Sequence, residues 1–257
     1  MKYTLPSLIV IVSVLAGHQP LQADVCPHLF SANAQSSSSY IQYCVSDNGN
    51  ITSIVTPFNV QQIGYSSEGY GLCQESPVAE YHDYASDTTA NWNAAELISL
   101  SNSSIKIKRT TSDGNFSLVQ TISKVAATGA VKILMGVTNH QAVAKVVYLL
   151  RYASVKTNPY AISSQGASLN SAWSWDNSPN TLHHGLQLLH AAAAPFSYRQ
   201  GFIKLLFGPN ACDFAAGTFP TGQSGPDSGY PASILYVYAG SIPAGATRTV
   251  TLNYRGM

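Results

Sequence analysis

The feature that most constrains the fold is a series of short segments that alternate apolar and polar residues and are separated by tight turns. Residues 104–111 (SIKIKRTT) alternate strictly, and Ser112-Asp113-Gly114 separates them from residues 116–125 (FSLVQTISKV). Because side chains on a β-strand point alternately to opposite faces, this pattern predicts half-buried antiparallel strands. We expect these two segments, with residues 131–138 and 144–152, to form a four-stranded meander.

The same pattern extends to both sides of this region. Residues 40–45 and 51–56 flank Asp47-Asn48-Gly49, which is typical of a hairpin turn. Further strands are predicted at residues 186–189, 233–238 and 247–254. Helical signals are confined to two short segments, residues 94–100 and 191–194.

These elements predict one all-β domain over residues 24–257. We expect an antiparallel two-sheet β-sandwich with long irregular loops and little helix. Its length and hairpin spacing suit about ten to fourteen strands.

The N-terminus has the composition of a secretory signal peptide over residues 1–23. Lys2 precedes the apolar residues 8–16 (LIVIVSVLA), and Ala23 is an acceptable cleavage position. The apolar run is too short to span a bilayer, and His18 stands where a lipoprotein signal would need cysteine. We therefore expect a secreted or periplasmic protein without a membrane anchor.

Four cysteines are present, Cys26, Cys44, Cys73 and Cys212. In an exported chain an even number predicts two disulfides, for which three pairings exist. We favour Cys26–Cys44, which would tie the N-terminal arm to the first strong strand, and Cys73–Cys212, which would join an early loop to a late one. No C-x-x-C pair exists, which argues against a zinc site.

Three stretches of this chain resemble a known set of proteins. IKRTTSDGNFSLVQTI, VKILMGVTNHQAVAKVVYLLRYASV and the closing RTVTLNYRGM are similar to secreted bacterial β-sandwich proteins that have no established activity. The resemblance covers most of the mature chain and implies export and a β-sandwich fold, but it assigns no function to any residue. Similar chains often have an acidic turn after LLRYA, whereas this chain has Ser154-Val155-Lys156, so no ligand role follows for that turn.

Charge is sparse and balanced. Charged residues make up 10% of the chain, and once Lys2 is removed 12 basic residues face 12 acidic ones. Such a chain is not expected to bind nucleic acid or an anionic membrane. Catalytic motifs are also missing from the sequence: the glycines of residues 64–69 (GYSSEG) are one residue too far apart for a nucleophile elbow.

An acidic and aromatic segment follows residue 64. Five acidic residues fall within residues 68–87, interleaved with tyrosines, and we expect an irregular loop here. Three interpretations stay open: a sugar site of stacking rings and carboxylates, a Ca²⁺ site at Glu80, Asp83 and Asp87, or a solvated loop that covers one end of the sandwich. The ligand-binding candidates are Tyr65, Tyr70, Tyr81, Asp83, Tyr84 and Trp92.

Two further candidates are Trp173 and Trp175, in the sequence SAWSWDNSPNTLHHG. They alternate with small residues, so both rings face the same side of one strand, and residues 176–180 have turn chemistry. This predicts a hairpin whose return strand begins at residue 183. If buried, the two rings would anchor the core; if exposed, they would form a flat surface on which a sugar chain can stack.

The leading functional hypothesis is a secreted non-catalytic domain that binds carbohydrate or a cell-surface partner through aromatic residues. A rival is an extracellular polysaccharide-active hydrolase, lyase or epimerase, with carboxylates of residues 68–87 and His82 or His184 as its acid–base groups. A third is a structural envelope or matrix protein. No cofactor is expected apart from the structural calcium considered above, and the sequence does not define an oligomeric state.

Overall fold

The computed structural model describes residues 26–84, 91–155, 163–168, 170–176, 184–192, 197–203, 209–214, 225–227 and 232–257. Every helix or strand assigned within these ranges is a β-strand. In chain order the strands are β1 (His28–Ala32), β2 (Ile41–Val45), β3 (Ile51–Val55), β4 (Ile63–Gln74), β5 (Ala79–Tyr84), β6 (Glu96–Leu100), β7 (Ser104–Thr110), β8 (Phe116–Val125), β9 (Ala130–Asn139), β10 (Lys145–Val155), β11 (Ser163–Ser168), β12 (Ser171–Asp176), β13 (Gly185–Ala192), β14 (Ser197–Ile203), β15 (Gly225–Asp227), β16 (Ala232–Ile242) and β17 (Thr247–Gly256).

The strands form three antiparallel sheets. The largest has nine strands in the order β15-β11-β12-β13-β17-β9-β8-β7-β6, and a second has five in the order β14-β16-β10-β4-β5. The short strands β1, β2 and β3 form the third sheet at the N-terminal end of the described chain. The predicted all-β antiparallel sandwich is therefore confirmed.

Strand alternation produces the core between the two large sheets. Ile122 and Ile133 of the nine-stranded sheet join Leu72 and Leu149 of the five-stranded sheet in one buried hydrophobic cluster. A smaller cluster covers the opposite face of the five-stranded sheet, where Leu150 and its neighbours pack against the segment 209–214. The five-stranded sheet is thus buried on both faces.

The predicted four-stranded meander is correct for three strands and wrong for the fourth. Strands β7, β8 and β9 are consecutive neighbours, but β10 lies in the other sheet, between β16 and β4. Residues 149–155 of β10 are all buried. A strand that is apolar on both faces needs cover on both sides, which the centre of the five-stranded sheet provides. The chain passes from the nine-stranded sheet to the five-stranded sheet after Asn139, the last residue of β9. The side-chain amide of Asn139 donates to the carbonyl oxygens of Val143 and Ile242 and so holds this connection.

The helix predicted at residues 94–100 is wrong. Residues 96–100 form β6, which pairs with β7 at the edge of the large sheet. A short apolar run does not distinguish a helix from a strand. Here the run forms a strand because it pairs with the otherwise unpaired edge of β7. In the second segment predicted as helix, Ala191 and Ala192 end β13, and the next two residues lie outside the described ranges.

Both favoured disulfides are confirmed. Cys26–Cys44 links the segment before β1 to β2, and Cys73–Cys212 links β4 to the segment 209–214. No cysteine remains free among the described residues, so a zinc site made from these four thiolates is excluded. The proposed signal peptide lies outside the described ranges. Within them, no helix is long and apolar enough to cross a membrane.

The two disulfides are predicted to differ in their contribution to stability. They close loops with sequence separations of 139 and 18 residues. In the chain-entropy model, replacing Cys73 and Cys212 by alanine lowers the free energy of unfolding by about 5 kcal/mol, and replacing Cys26 and Cys44 lowers it by about 3 kcal/mol. Urea-induced unfolding of the two double variants measures both losses, and a larger loss for the Cys26–Cys44 variant would contradict the prediction.

Candidate functional site

Polar and charged side chains lie buried between the two large sheets. We call them the interior polar cluster; its members are Asn50, Glu68, Tyr70, Asp83, Arg109, Gln120, Arg151 and Tyr254. Each of these residues is at most 5% exposed. They come from β4, β5 and β10 on one side, from β7, β8 and β17 on the other, and from the turn between β2 and β3.

Arg151 is the centre of this cluster and is fully buried. Its Nε donates to Glu68 Oε1 at 2.5 Å, and its Nη1 donates to Gln120 Oε1 at 2.5 Å. Its Nη2 donates to the carbonyl oxygen of Gly49 at 3.3 Å, and its guanidinium lies 5.8 Å from the centre of the Tyr70 ring. One arginine therefore connects both large sheets and the N-terminal hairpin.

Glu68 is held by donors from three directions. Besides Arg151, the Tyr254 hydroxyl donates to Oε1 at 3.0 Å and the Ile51 amide donates to Oε2 at 2.6 Å. Burial raises the pKa of Glu68, and these three donors oppose that effect by stabilising the carboxylate. The charged form of Glu68 thus depends on keeping all of its partners.

A second buried ion pair lies beside the first. Arg109 Nη1 donates to Asp83 Oδ2 at 2.5 Å, and Asn50 Nδ2 donates to Asp83 Oδ1 at 2.9 Å. Burial raises the pKa of Asp83, whereas Asn50 and Arg109 lower it. The guanidinium of Arg109 also lies 5.8 Å from the centre of the Trp92 ring, and its Nε donates to the carbonyl oxygen of Asn93.

The turn between β2 and β3 completes the cluster. It supplies the Gly49 carbonyl, the Asn50 side chain and the Ile51 amide described above. Gly49 has φ of +87°, a backbone conformation that favours glycine, and a Cβ there would stand 2.6 Å from Gln120 Nε2 and displace that side chain. Because its members are almost fully buried, the interior polar cluster stabilises the sandwich and does not offer a surface to a ligand.

Residues 68–84 of the acidic and aromatic segment belong to β4, β5 and the turn between them, so the expected irregular loop is wrong for this part of the segment. Tyr70, Tyr81, Asp83 and Tyr84 are all at most 3% exposed, because both faces of these strands are covered. Tyr81 is an example of a buried tyrosine whose hydroxyl is already bound within the protein. The hydroxyl donates to Asp113 at 2.6 Å, and burial raises the pKa of Tyr81 to about 12.

The remaining candidates of this segment lie in different surroundings. Trp92 is half-buried and packs edge-on against Tyr70 and Tyr81. Tyr65 belongs to β4, but its side chain is outside the described part of the structure.

The residues suggested for calcium do not share one side of the sheet. Glu80 and Asp83 lie on opposite faces of β5, and both oxygens of Asp83 accept hydrogen bonds from protein groups. Asp87 is outside the described ranges, and within them no three His, Cys, Asp or Glu side chains are grouped as metal ligands. Glu80 instead lies 3.4 Å from Nδ1 of His82, and both side chains are partly exposed.

Trp173 and Trp175 lie on the face of the nine-stranded sheet that points away from the five-stranded sheet, which we call the outer face. Ala172 and Ser174 alternate with them and are buried, whereas both tryptophans are half-buried. The predicted hairpin is confirmed, since β12 pairs with β13, and its turn residues 177–183 lie outside the described ranges. Half-burial leaves part of each ring open to solvent.

The neighbours of the two rings follow from the strand register. Gln187 of β13 lies opposite Trp173, and Arg255 of β17 lies opposite Gln187. We call these four residues, Trp173, Trp175, Gln187 and Arg255, the tryptophan face. On the other side β11 places only Gly166 and Ser164 opposite the two tryptophans. The rings are two positions apart on one strand, so their Cα atoms are separated by about 7 Å.

Sequence reasoning identified the tryptophans but missed Gln187, Arg255 and the interior polar cluster. The sequence pattern could have placed Arg151 on a buried strand, because Arg151 is the single charged residue within the largely apolar run VVYLLRYASV. It could not have placed Arg255 beside Trp173, because that neighbourhood depends on which strands pair.

Comparison with solved structures gives the fold relationship. A bacterial glucoamylase complexed with acarbose superposes with a TM-score of 0.54 at 10% identity, over 88% of this chain and 32% of the glucoamylase. A provisionally assigned aldose 1-epimerase from Escherichia coli K12 superposes with a TM-score of 0.50 at 11% identity, over 90% of this chain and 99% of that protein. This chain therefore spans about a third of the glucoamylase and nearly all of the second protein. At these identities the likeness establishes a shared fold alone.

No protein-family model matches the sequence, and no curated protein sequence matches it either.

The buried Arg151–Glu68 pair generates a stability prediction. Glu68→Gln keeps the shape of the side chain but leaves the Arg151 charge uncompensated, so the free energy of unfolding should fall by about 3 to 5 kcal/mol. Glu96→Gln is the matched control, because it breaks the exposed Lys108–Glu96 pair, at 3.3 Å, and should cost less than about 1 kcal/mol. Urea-induced unfolding at neutral pH compares them, and equal losses would show that the buried pair has no special role.

Proposed function

We propose that this chain is an exported, non-catalytic β-sandwich domain that binds carbohydrate through the tryptophan face. The observation that carries the proposal is the position of Trp173 and Trp175, side by side on the outer face and half-buried. Two rings held at fixed spacing present an apolar surface to the faces of sugar rings. Gln187 and Arg255 add hydrogen-bond donors beside the rings, as orientation of a sugar requires.

The chemistry of the tryptophan face favours contact with a ligand over a purely structural role. Aromatic residues that are neither in the core nor isolated are the usual anchors of binding surfaces. Among the described residues, the side chains of Gln187 and Arg255 form no hydrogen bond or ion pair, so both remain available to a partner.

The fold relationship supports a link to carbohydrate. The glucoamylase and the provisionally assigned aldose 1-epimerase are both named for reactions of sugars, and both share this fold. The two disulfides agree with export, because disulfides persist mainly in oxidising compartments such as the periplasm and the extracellular space.

Replacing the tryptophans tests the proposal. A polysaccharide that binds the wild-type protein is first identified by affinity electrophoresis against a panel of soluble glycans. Trp173→Ala and Trp175→Ala should each weaken that binding by about 2 kcal/mol, which is about 30-fold in Kd, because each removes a stacking ring. Isothermal titration calorimetry measures the Kd values.

Two controls keep this test specific. Leu134→Ala removes another exposed apolar side chain of the same outer face, on β9, and should leave the Kd unchanged. Trp92→Phe removes the third tryptophan of the chain, which packs against the interior, and should leave the ligand-induced fluorescence change intact. Binding that survives loss of both Trp173 and Trp175 would refute the proposed site.

A second candidate function is an enzyme acting on extracellular polysaccharide as a hydrolase, lyase or epimerase. The observation that favours it is the contact of 3.4 Å between Glu80 and His82, two groups able to exchange protons with a substrate. Asp83 does not take part, because it faces the opposite side of β5 and is bound to Arg109.

Activity assays on two variants decide this candidate. If the Glu80–His82 pair is catalytic, purified wild-type protein should change the reducing ends or viscosity of a bound polysaccharide, or the anomeric equilibrium of its free sugar units. Glu80→Gln and His82→Asn should then lower the rate by about 100-fold or more without weakening binding at the tryptophan face. A wild-type protein that binds but causes no such change would leave the non-catalytic proposal in place.

A further inference from the structure

We infer that the carbohydrate bound at the tryptophan face is acidic, carrying carboxylate or sulfate groups along its chain. This inference rests on the proposed function and adds the chemical class of the ligand. It follows from the signs and positions of the charges on the outer face.

The ionisable side chains of the outer face are almost all basic. Strand alternation places five of them there among the described residues of the nine-stranded sheet: Lys106, Lys108, Lys132, Arg255 and Glu96. The one carboxylate, Glu96, lies 3.3 Å from Lys108 and is compensated by it. In the described part of the chain the other three cations have no ion-pair partner. The outer face therefore carries a net positive charge, although the whole chain is nearly neutral.

Four other acidic residues of the described structure lie away from the outer face. Glu68 and Asp83 form ion pairs with arginines inside the interior polar cluster. Asp47 pairs with His28 in the N-terminal sheet region, and Asp113 is bound by Thr111, Tyr81 and Asn115 in the turn after β7. Among the described side chains, this distribution gives the outer face a net positive potential that attracts anions.

Two of the cations continue the tryptophan face. Arg255 follows Trp173 and Gln187 in the same cross-strand row. Lys132 lies opposite Asn253, two residues before Arg255, so the two cations are diagonal neighbours at about 7 to 8 Å. Both side chains are exposed. The path from Trp173 to Lys132 crosses three strand spacings, or about 14 Å, which is longer than one sugar ring.

This arrangement matches an anionic glycan better than a neutral one. The rings stack on the sugar faces, while a guanidinium and an ammonium group further along the same path bind carboxylate or sulfate oxygens. A neutral glycan would leave both cations without a partner. Nucleic acid fits less well, because its closely spaced phosphates call for more basic groups than these few.

Matched pairs of polysaccharides test the inference. Polygalacturonate is compared with its fully methyl-esterified form, and dextran sulfate with dextran, so that the members of each pair share a sugar backbone and one of them carries the charge. Wild-type protein should bind at least one charged form about tenfold or more tightly than its neutral partner. This preference should shrink as the salt concentration rises from about 0.05 M to about 0.5 M, because exposed charges become screened over that range.

Charge-removing variants locate the effect. Arg255→Gln and Lys132→Gln should each weaken binding of the charged form about three- to fivefold, as expected for exposed ion pairs. Lys132→Gln should leave binding of the neutral form unchanged, whereas Arg255→Gln, which alters the tryptophan face itself, should weaken the charged form more than the neutral form. Lys145→Gln alters the net charge equally but lies on β10 of the other sheet, where Lys145 donates to the Ser76 carbonyl, and should change neither. Single-stranded DNA without stem-loops serves as a polyanion that is not a carbohydrate.

The outcomes separate the two proposals. Equal binding of charged and neutral forms, abolished by Trp173→Ala, would overturn the acidic-ligand inference and leave carbohydrate binding intact. Absence of binding to all four polysaccharides, or binding unaffected by Trp173→Ala, would overturn the proposed site and the inference with it. DNA bound as tightly as polygalacturonate at the same salt would overturn the inference in favour of general polyanion binding.

Discussion

The sandwich depends on the contact between Arg151 and Glu68. Two opposite charges in a buried interior are costly unless each is fully paired, and here donors and acceptors from all three sheets provide that pairing. A hydrophobic core alone tolerates small shifts of one sheet over the other. Directional bonds do not, so the bonds from Arg151 to Gln120 and from Tyr254 to Glu68, which cross between the two large sheets, fix how the sheets face each other.

The same constraint separates stability from recognition in this molecule. The side chains with the strongest electrostatic interactions are inside, where they hold β4 and β5 in place. The tryptophan face lies on the far side of the nine-stranded sheet. On β12 the inward residues Ala172 and Ser174 are small, which keeps both tryptophans apart from the interior polar cluster. On β17 the two regions are adjacent, because Arg255 directly follows the cluster member Tyr254.

Much of the fold followed from the sequence, because alternation and turn residues act locally. The strands at 104–110 and 116–125 and the hairpin turn at Gly49 were predictable in this way. The even number of cysteines predicted two disulfides, but the pairing was a preference among three alternatives, because Cys73–Cys212 joins residues 139 positions apart. The sheet to which β10 belongs was not, because an apolar strand fits the centre of either sheet. The candidate site was half predictable: alternation put both tryptophans on one side, but strand pairing alone brings Arg255 beside them.

The hydrogen bonds of Glu68 also say something about when this protein can finish folding. They join it to residues 17, 83 and 186 positions away along the chain. Contacts of such long range form late, since the intervening chain must first be brought together. The Glu68 carboxylate therefore gains its full set of donors only when Ile51, Arg151 and Tyr254 have all been brought together. A partly folded chain that buries Glu68 before then holds a charge without its full compensation.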